Sequence, residues 1–310
     1  MSVPMIIDTD PGVDDAVALM LAAASPEVQL LAVTTVFGNV GVQTTTANVL
    51  RLRALAGLDQ LPVAAGAARP MVYPHHQRTG FTHGPDGLGG RADLLPEPIG
   101  ALDGRGAVGL MADLLRGTAA PVTLVAIGPL TNVALLLAAH AEVKPRINRI
   151  VIMGGHLSGP PAESNFQADP EAAYRVLVTE DIPITLVPLD LTLRVAVDGA
   201  WLAKLAAAGP RCAALAGVVQ HCQAHFRAAA GDDAITLHDS LAVLEAAVPD
   251  TLRTTSIPLK VICEHGSSRG AVVVADSGQG TNRRCAVRVA LDADLPSINA
   301  TILERLRILR

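Results

Sequence analysis

Apolar positions in this 310-residue chain fall into short runs separated by longer Ala- and Leu-rich stretches. The runs MIID (5–8), LLAVTTVFG (30–38), LPVAAG (61–66), VTLVAIG (122–128), RIVIMGG (149–155) and ITLVPLD (184–190) are rich in β-branched residues and show no polar face. A parallel strand covered by helices on both sides has this pattern, because neither of its faces meets water. Helices are predicted over 13–25, over 44–57 with Gly57 as its end, over 130–140, from Trp201, around 240–248 and over 295–309. The alternation predicts a single α/β domain over 1–310, an open, mostly parallel Rossmann-like sheet with helices on both faces. VVVAD (272–276) and CAVRVALD (285–292) are expected to pair around the turn DSGQGTN as a small antiparallel C-terminal extension.

Two stretches interrupt the alternation. Residues 67–104 are rich in Gly, Pro and His, and residues 155–168 follow the run at 149–153. Long loops in compact domains are commonly functional. In open α/β sheets ligands bind beyond the carboxyl ends of the strands. Polar clusters sit at those ends here: DTDPGVDD (8–15), GN (38–39), the 83–90 loop, IGPLTN (127–132) and GGHLSGPPAESN (154–165). All are expected on one rim.

Composition narrows the picture. Half of the residues are hydrophobic but only 2% are aromatic, so the core must be built from Ala, Val, Leu and Ile. A net charge of −5 argues against a nucleic-acid partner held through phosphates. Cys212, Cys222, Cys263 and Cys285 form no CxxC pair, which excludes the usual zinc and redox motifs and suggests reduced thiols. No apolar run reaches the roughly 18–20 residues of a membrane span. The N-terminus shows no basic stretch followed by an apolar run and a cleavage site. A cytoplasmic protein with no membrane partner is expected.

The stretch MIIDTDPGVDD raises a chemical question. Asp8, Asp10, Asp14 and Asp15 crowd around a Pro-Gly turn, and the first basic residue in the chain is Arg51. Like charges at short range raise one another's pKa unless a cation joins them. A hard divalent ion answers this, and Ca²⁺ accepts several oxygens in irregular geometry. The plainer alternative is that Asp14 and Asp15 only complement a helix N-terminus. The spacing is not that of an EF-hand. Successive helical residues point about 100° apart, so Asp14 and Asp15 are expected to face different partners. Asp10, at the strand end, is better placed for a ligand than the deeper Asp8. In LHDSLAVLEAAV (237–248), Asp239 is either a further oxygen ligand or an N-cap. His238 beside it is either a surface residue or a proton carrier.

The motifs DTDPGVDDAVALM, GN at 38–39, HGPDGLGG at 83–90, IGPLTN at 127–132, AESNFQADPEAA at 162–173 and LHDSLAV at 237–243 together resemble the inosine-uridine nucleoside hydrolase family. They occur in family order and cover most of the chain. The resemblance implies Ca²⁺-dependent hydrolysis of the N-glycosidic bond of a ribonucleoside to ribose and free base. It implies that Asp10, Asp15, Asp239 and the carbonyl of Ile127 hold the ion, with Asp10 the general base that activates a metal-bound water. Asp14 and Asn165 resemble the residues that grip the ribose 2′- and 3′-hydroxyls, and Glu163 the contact to the 5′ end. Asn39 falls near the ribose–base junction. His83 and His238 fall on the base side, with His238 as acid for the leaving base. Met153 and Asp239 are also placed on the substrate side. The resemblance further suggests a homodimer or homotetramer.

These residue types suit the chemistry. Glycosidic cleavage passes through an oxocarbenium-like sugar, whose positive charge nearby carboxylates stabilise. A metal lowers the pKa of a water and orients it. The chain departs from the family pattern in three places. The loop after Gly155 lacks a further Gly-Asn, with Ser158 the expected substitute for a 5′-side contact. Ser164 replaces an aromatic residue, with Phe166 two positions on. His221, His225 and Phe226 stand where tyrosines are frequent. Trp201 is the only tryptophan and is expected to pack. Together with His83 this points to a pyrimidine or broad substrate range (uridine, cytidine, inosine). Two other readings compete. One is a Mg²⁺-dependent DxD phosphatase with Asp8 as nucleophile and Asp10 as acid/base, which leaves PGVDD and LHD unexplained. The other is a non-catalytic nucleoside or sugar binder, which leaves the intact ligand set without a use.

Overall fold

The computed structural model describes residues 2–74, 83–230, 235–275 and 287–309, the stretch 221–230 by its backbone alone. The first half runs β1 (Val3–Thr9), α1 (Val13–Ala24), β2 (Val28–Thr35), α2 (Val42–Ala56), β3 (Val63–Ala65), α3 (Gly106–Gly117), β4 (Val122–Ala126), α4 (Thr131–Ala139) and β5 (Ile147–Met153). Short helices α5 (Ser164–Ala168) and α6 (Pro170–Tyr174) follow, then β6 (Ile184–Val187), α7 (Leu189–Thr192), β7 (Ala196–Val197), α8 (Gly199–Ala206) and α9 (Pro210–Ala230). The chain continues with β8 (Ile235–Thr236), α10 (His238–Ala247), β9 (Arg253–Ile257), β10 (Leu259–Val261), β11 (Val272–Val274), β12 (Val287–Asp292) and α11 (Leu295–Leu306).

The main sheet has the order β3-β2-β1-β4-β5-β6-β12-β9. Every neighbouring pair is parallel except β12 with the edge strand β9. Alternation along β1 explains the two helical layers. Met5 and Ile7 enter a core with α1, α2, α8, α9, α10 and α11, whereas Ile6 enters the opposite core with α3, α4 and α6. Each fully buried side chain of this size contributes about 1.5–3 kcal/mol. The predicted end of α2 is also explained: Gly57 adopts φ 71°, and its N–H returns to the carbonyls of Ala54 and Arg53. A left-handed cap of that kind favours glycine. Among the described residues no helix is long and apolar enough to cross a membrane. Cys212 and Cys263 are free thiols.

One sequence expectation fails. The 272–276 and 285–292 runs do not pair with each other. β11 pairs antiparallel with β10, and β12 lies in the main sheet between β6 and β9. Val287, Val289 and Ala290 of β12 are buried, so this strand needs cover that an exposed hairpin does not provide. The small antiparallel element therefore exists with a different partner, and the turn DSGQGTN lies outside the described residues.

Chain direction in the sheet fixes where a ligand belongs. From β1 the chain builds outward through β2 to β3, then returns to place β4 on the other side of β1. The crevice lies where the strand order reverses, beyond the carboxyl ends of β1 and β4.

Candidate active site

The strand ends meet at that crevice. Asp8 and Ala126 are register partners on β1 and β4, and the N–H of Ile127 donates to the Asp8 carbonyl at 2.9 Å. Beyond Thr9 the chain turns through Asp10-Pro11-Gly12 into α1. Helix α10 packs along α1, so the first turns of both helices open on the same space.

Four carboxylates share that space. One carboxylate oxygen from each of Asp14, Asp15 and Asp239 lies within 4.8 Å of the others, and all three residues are buried. The expectation that Asp14 turns away from Asp15 is therefore corrected. The 100° step separates the Cα–Cβ directions, but two side-chain torsions bring both carboxylates back toward Asp239. Asp10 is 1% exposed; its Oδ2 accepts the Asn39 N–H at 2.7 Å, and its Oδ1 is buried with no hydrogen-bond partner. Asp15 accepts from Thr9 Oγ1 at 2.5 Å, Gly12 N at 2.9 Å and Asn39 Nδ2 at 3.3 Å.

Burial drives the electrostatics. It pushes the Asp10 carboxyl well above the usual range, and neighbouring Asp15 and Asp14 add to the effect. Burial likewise raises Asp239, followed by repulsion from Asp14, Asp15 and Asp10. Asp15 is raised to about 6 by burial and by Asp14, against the opposing bonds from Thr9 and Gly12. Among the described residues no Lys or Arg pairs with any of the four; the nearest basic group is His83, with Nδ1 3.8 Å from Asp14 Oδ1. An all-oxygen donor set with an orphaned buried oxygen and uncompensated negative charge fits a hard divalent cation and no soft metal. The grouped carboxylates of Asp14, Asp15 and Asp239 could thus hold a metal ion.

The remaining predicted residues surround this cluster. Asn39 bridges its two halves, since its Nδ2 also reaches the Asp10 carbonyl at 3.2 Å. His83 Nδ1 accepts the Val13 N–H at 3.2 Å, at the start of α1. The Ile127 carbonyl accepts Asn165 Nδ2 at 3.1 Å, and the same amide reaches the Met153 carbonyl at 3.3 Å. Glu163 caps α5 and accepts from the backbone N–H groups of Asn165 at 2.8 Å, Phe166 at 3.1 Å and Gly155 at 3.0 Å. Its carboxyl is nevertheless raised by burial, which outweighs those bonds. His238 opens α10 and has its pKa lowered, mainly by burial. Nδ1 of that ring lies 2.8 Å from Thr192 Oγ1.

Other residues take structural positions. Asp8 is 2% exposed, and its Oδ1 accepts from Thr34 Oγ1 at 2.6 Å and Asn132 Nδ2 at 2.8 Å. Its Oδ2 is buried without a partner, one layer beneath the acidic cluster. The hydroxyl and N–H of Ser158 both donate to Asp190. Phe166 is fully buried against Gly154, where any Cβ would overlap its ring. The aromatic displaced from 164 thus reappears beneath the glycine pair. Trp201 is buried and donates Nε1–H to the Asn299 carbonyl at 3.0 Å, which places it in packing. The side chains of His221, His225 and Phe226 lie outside the described residues.

Sequence reasoning missed the residues that hold the carboxylates in place. Thr9, inside the motif itself, fixes Asp15, and Gly38 and Gly128 form a socket for Asp10. A Cβ on Gly128 would lie 2.6 Å from Asp10 Oδ1, and one on Gly38 would overlap Asp10 Oδ2. Gly38→Ala is therefore expected to lower kcat more than about tenfold, because a one-ångström displacement of a reacting group costs on that order or more. Gly41→Ala, where the nearest atom to an added Cβ is 3.7 Å away, is expected to keep it. Equal rates for the two variants in a steady-state assay would remove the socket argument.

Known proteins share this architecture. The family model described as inosine-uridine preferring nucleoside hydrolase matches residues 5–300. A pyrimidine-specific ribonucleoside hydrolase RihA of Klebsiella pneumoniae is 38% identical over 312 residues, 99% of each chain. The protein of that description from Salmonella enteritidis is 44% identical over 213 residues, 67% of each. Among solved structures, the plant nucleoside hydrolase PpNRh1 matches with a TM-score of 0.89 at 29% identity over 99% of both chains. A purine-preferring ribonucleoside hydrolase from Gardnerella vaginalis gives 0.89 at 26% identity, over 99% of this chain and 98% of its own.

Proposed function

We infer from its membership of the inosine-uridine preferring nucleoside hydrolase family, to which this chain belongs, that it hydrolyses the N-glycosidic bond of ribonucleosides, and we propose that it does so with Ca²⁺ and with pyrimidine or broad base preference. The observation that carries the metal part of the reading is the buried cluster of Asp10, Asp14, Asp15 and Asp239, paired with no described Lys or Arg, at the switch point of the sheet. Asp10, Asp15, Asp239 and the Ile127 carbonyl would hold the ion. When bound, a divalent cation supplies a more acidic, oriented water and charge neutralisation.

The chain's own groups do the rest. Asp10 takes the proton of the attacking water through its unpartnered Oδ1. Asp14, at the open side of the cluster, accepts from ribose hydroxyls together with Asn165, whose amide is already aimed between Ile127 and Met153. Glu163 is held by three backbone N–H groups to meet the 5′ end. Asn39 lies where ribose joins base. His83 faces the base, and His238 protonates it as it leaves. Negative charge packed under the sugar favours the oxocarbenium-like transition state over the neutral ground state.

The base preference rests on two supports. A relative described as pyrimidine-specific is 38% identical across 99% of the chain. Trp201, the only tryptophan, is committed to packing. Incubating the protein and Ca²⁺ with uridine, cytidine, inosine and guanosine, followed by reducing-sugar detection, tests the reading. Ribose is expected from uridine or cytidine at least as fast as from inosine. Release from guanosine and inosine alone would overturn the base preference. Release of phosphate from 4-nitrophenyl phosphate, with no ribose from any nucleoside, would overturn the function.

A further inference from the structure

Thr192 is the last residue of α7, beyond the carboxyl end of β6, and its side chain is fully buried. Its Oγ1 makes two contacts: His238 Nδ1 at 2.8 Å and the Leu189 carbonyl at 3.4 Å. A hydroxyl has one proton to donate and two lone pairs to accept with, while a carbonyl only accepts. One arrangement uses both contacts together. The hydroxyl proton goes to Leu189, and Nδ1–H of His238 donates to the hydroxyl. Among the described residues nothing hydrogen-bonds Nε2 of that ring. Asp14 and His83, both at the mouth of the acidic cluster, act on the ring electrostatically.

We propose that Thr192 is a positioning residue that holds His238 with its proton on Nδ1 and leaves Nε2 as the atom serving the departing base. This rests on reading His238 as the proton donor. Chemistry favours the arrangement. A neutral ring with its only proton on Nε2 would become an imidazolate on giving that proton away. A ring protonated on both nitrogens, which burial disfavours and neighbouring Asp14 favours, becomes the neutral Nδ1–H tautomer on giving up Nε2–H, with Thr192 already its acceptor. When the C1′–N bond breaks, its electron pair leaves with the base. Nε2–H supplies the proton that neutralises it. Water adds hydroxide to C1′ and gives its other proton to Asp10. Asp10 then releases a proton to solvent, and His238 takes one back.

The test separates this role from a structural one by its dependence on the leaving group. Thr192→Val keeps the shape and removes the acceptor. Its kcat on uridine and inosine is expected to fall about 10–100-fold, within the range of general acid catalysis, with KM changed little. On 4-nitrophenyl riboside, whose leaving anion is stable without a proton, its rate is expected to stay within about threefold of wild type, since no proton transfer is left to lose. Thr192→Ser is expected to restore nucleoside turnover. Equal loss on both substrates, or no loss on nucleosides, overturns the proposal. If Thr192→Val does not fold, Thr192→Ala against Thr192→Ser gives the same comparison. His238→Ala is measured alongside. If it keeps full nucleoside activity, the reading of His238 fails; if it loses activity while Thr192→Val does not, only the role of Thr192 fails.

Discussion

Asp10→Ala is expected to lower kcat on the best ribonucleoside at least about a hundredfold, the lower end of what a positioned general base supplies. Asp10 is distinguished from the other acids by its oxygens and its place together, since it has a buried unpartnered oxygen and also lies beside Asp14, Asp15 and Asp239. Asp15 has three donors on its carboxylate, from Thr9, Gly12 and Asn39. Asp8 also has one buried unpartnered oxygen, Oδ2, but it lies one layer below the cluster, with Oδ1 tied to Thr34 and Asn132. Asp10 keeps Oδ2 on the Asn39 N–H and leaves Oδ1 buried and unpaired. A fixed carboxylate with one free oxygen is what a base needs, and Gly38 and Gly128 leave the room that this carboxylate occupies. Asp10→Asn preserves size and removes the basicity, so it is expected to lose activity nearly as completely. The loss should survive saturation with Ca²⁺, because a weakened ligand set is rescued by mass action and a missing base is not. Turnover by Asp10→Ala within tenfold of wild type at saturating nucleoside and Ca²⁺ would sink the assignment.

How far the sequence reveals this site depends on how local each part is. β1 and its acidic turn are adjacent in the chain, so MIID followed by DTDPGVDD already predicts a strand ending in a ligand site. LHD at the start of α10 is legible for the same reason, as polar residues that open an apolar helix. Contacts that cross the chain are less legible. Thr34 and Asn132 lie far from Asp8 in sequence, and neither has a pattern of its own that points there. The convergence of Asp14 with Asp15 is not legible, because helical geometry fixes backbone directions but leaves side-chain torsions free, and the third carboxylate comes from another helix. At the sheet edge, β9 is RTTSI, largely exposed and polar, so it carries no apolar signal. Without β9, β12 looks like half of a hairpin rather than a core strand. Phe166 shows the same limit: its position two residues late is plain in sequence, but its place under Gly154 requires the fold.

The second large effect concerns the metal. Without Ca²⁺, the protein is expected to lose stability as pH rises from about 5 to about 8, and adding Ca²⁺ should reverse the loss. The sign follows from proton counting. Asp15 is raised from 3.8 to about 6, Asp8 from 3.8 to about 7, and Asp10 and Asp239 well above 3.8. Between the unfolded and folded values the native chain therefore holds more protons than the unfolded one. Stability is fully present below the unfolded pKa and is lost as pH climbs through the folded values. Each pKa unit corresponds to about 1.4 kcal/mol, so four shifted acids are enough to move a melting temperature measurably. Ca²⁺ binds the ionised cluster and competes with protons, so its stabilisation should grow with pH. Asp239→Asn removes one buried charge and one ligand. It is expected to raise the metal-free Tm at pH 8, to abolish most of the Ca²⁺-induced rise, and to reduce turnover more than about a hundredfold through lost metal-assisted catalysis. A metal-free Tm that stays level or increases between pH 5 and 8, or a Ca²⁺ shift equal at both ends, would show that these aspartates neither carry raised pKa values in the folded chain nor share an ion.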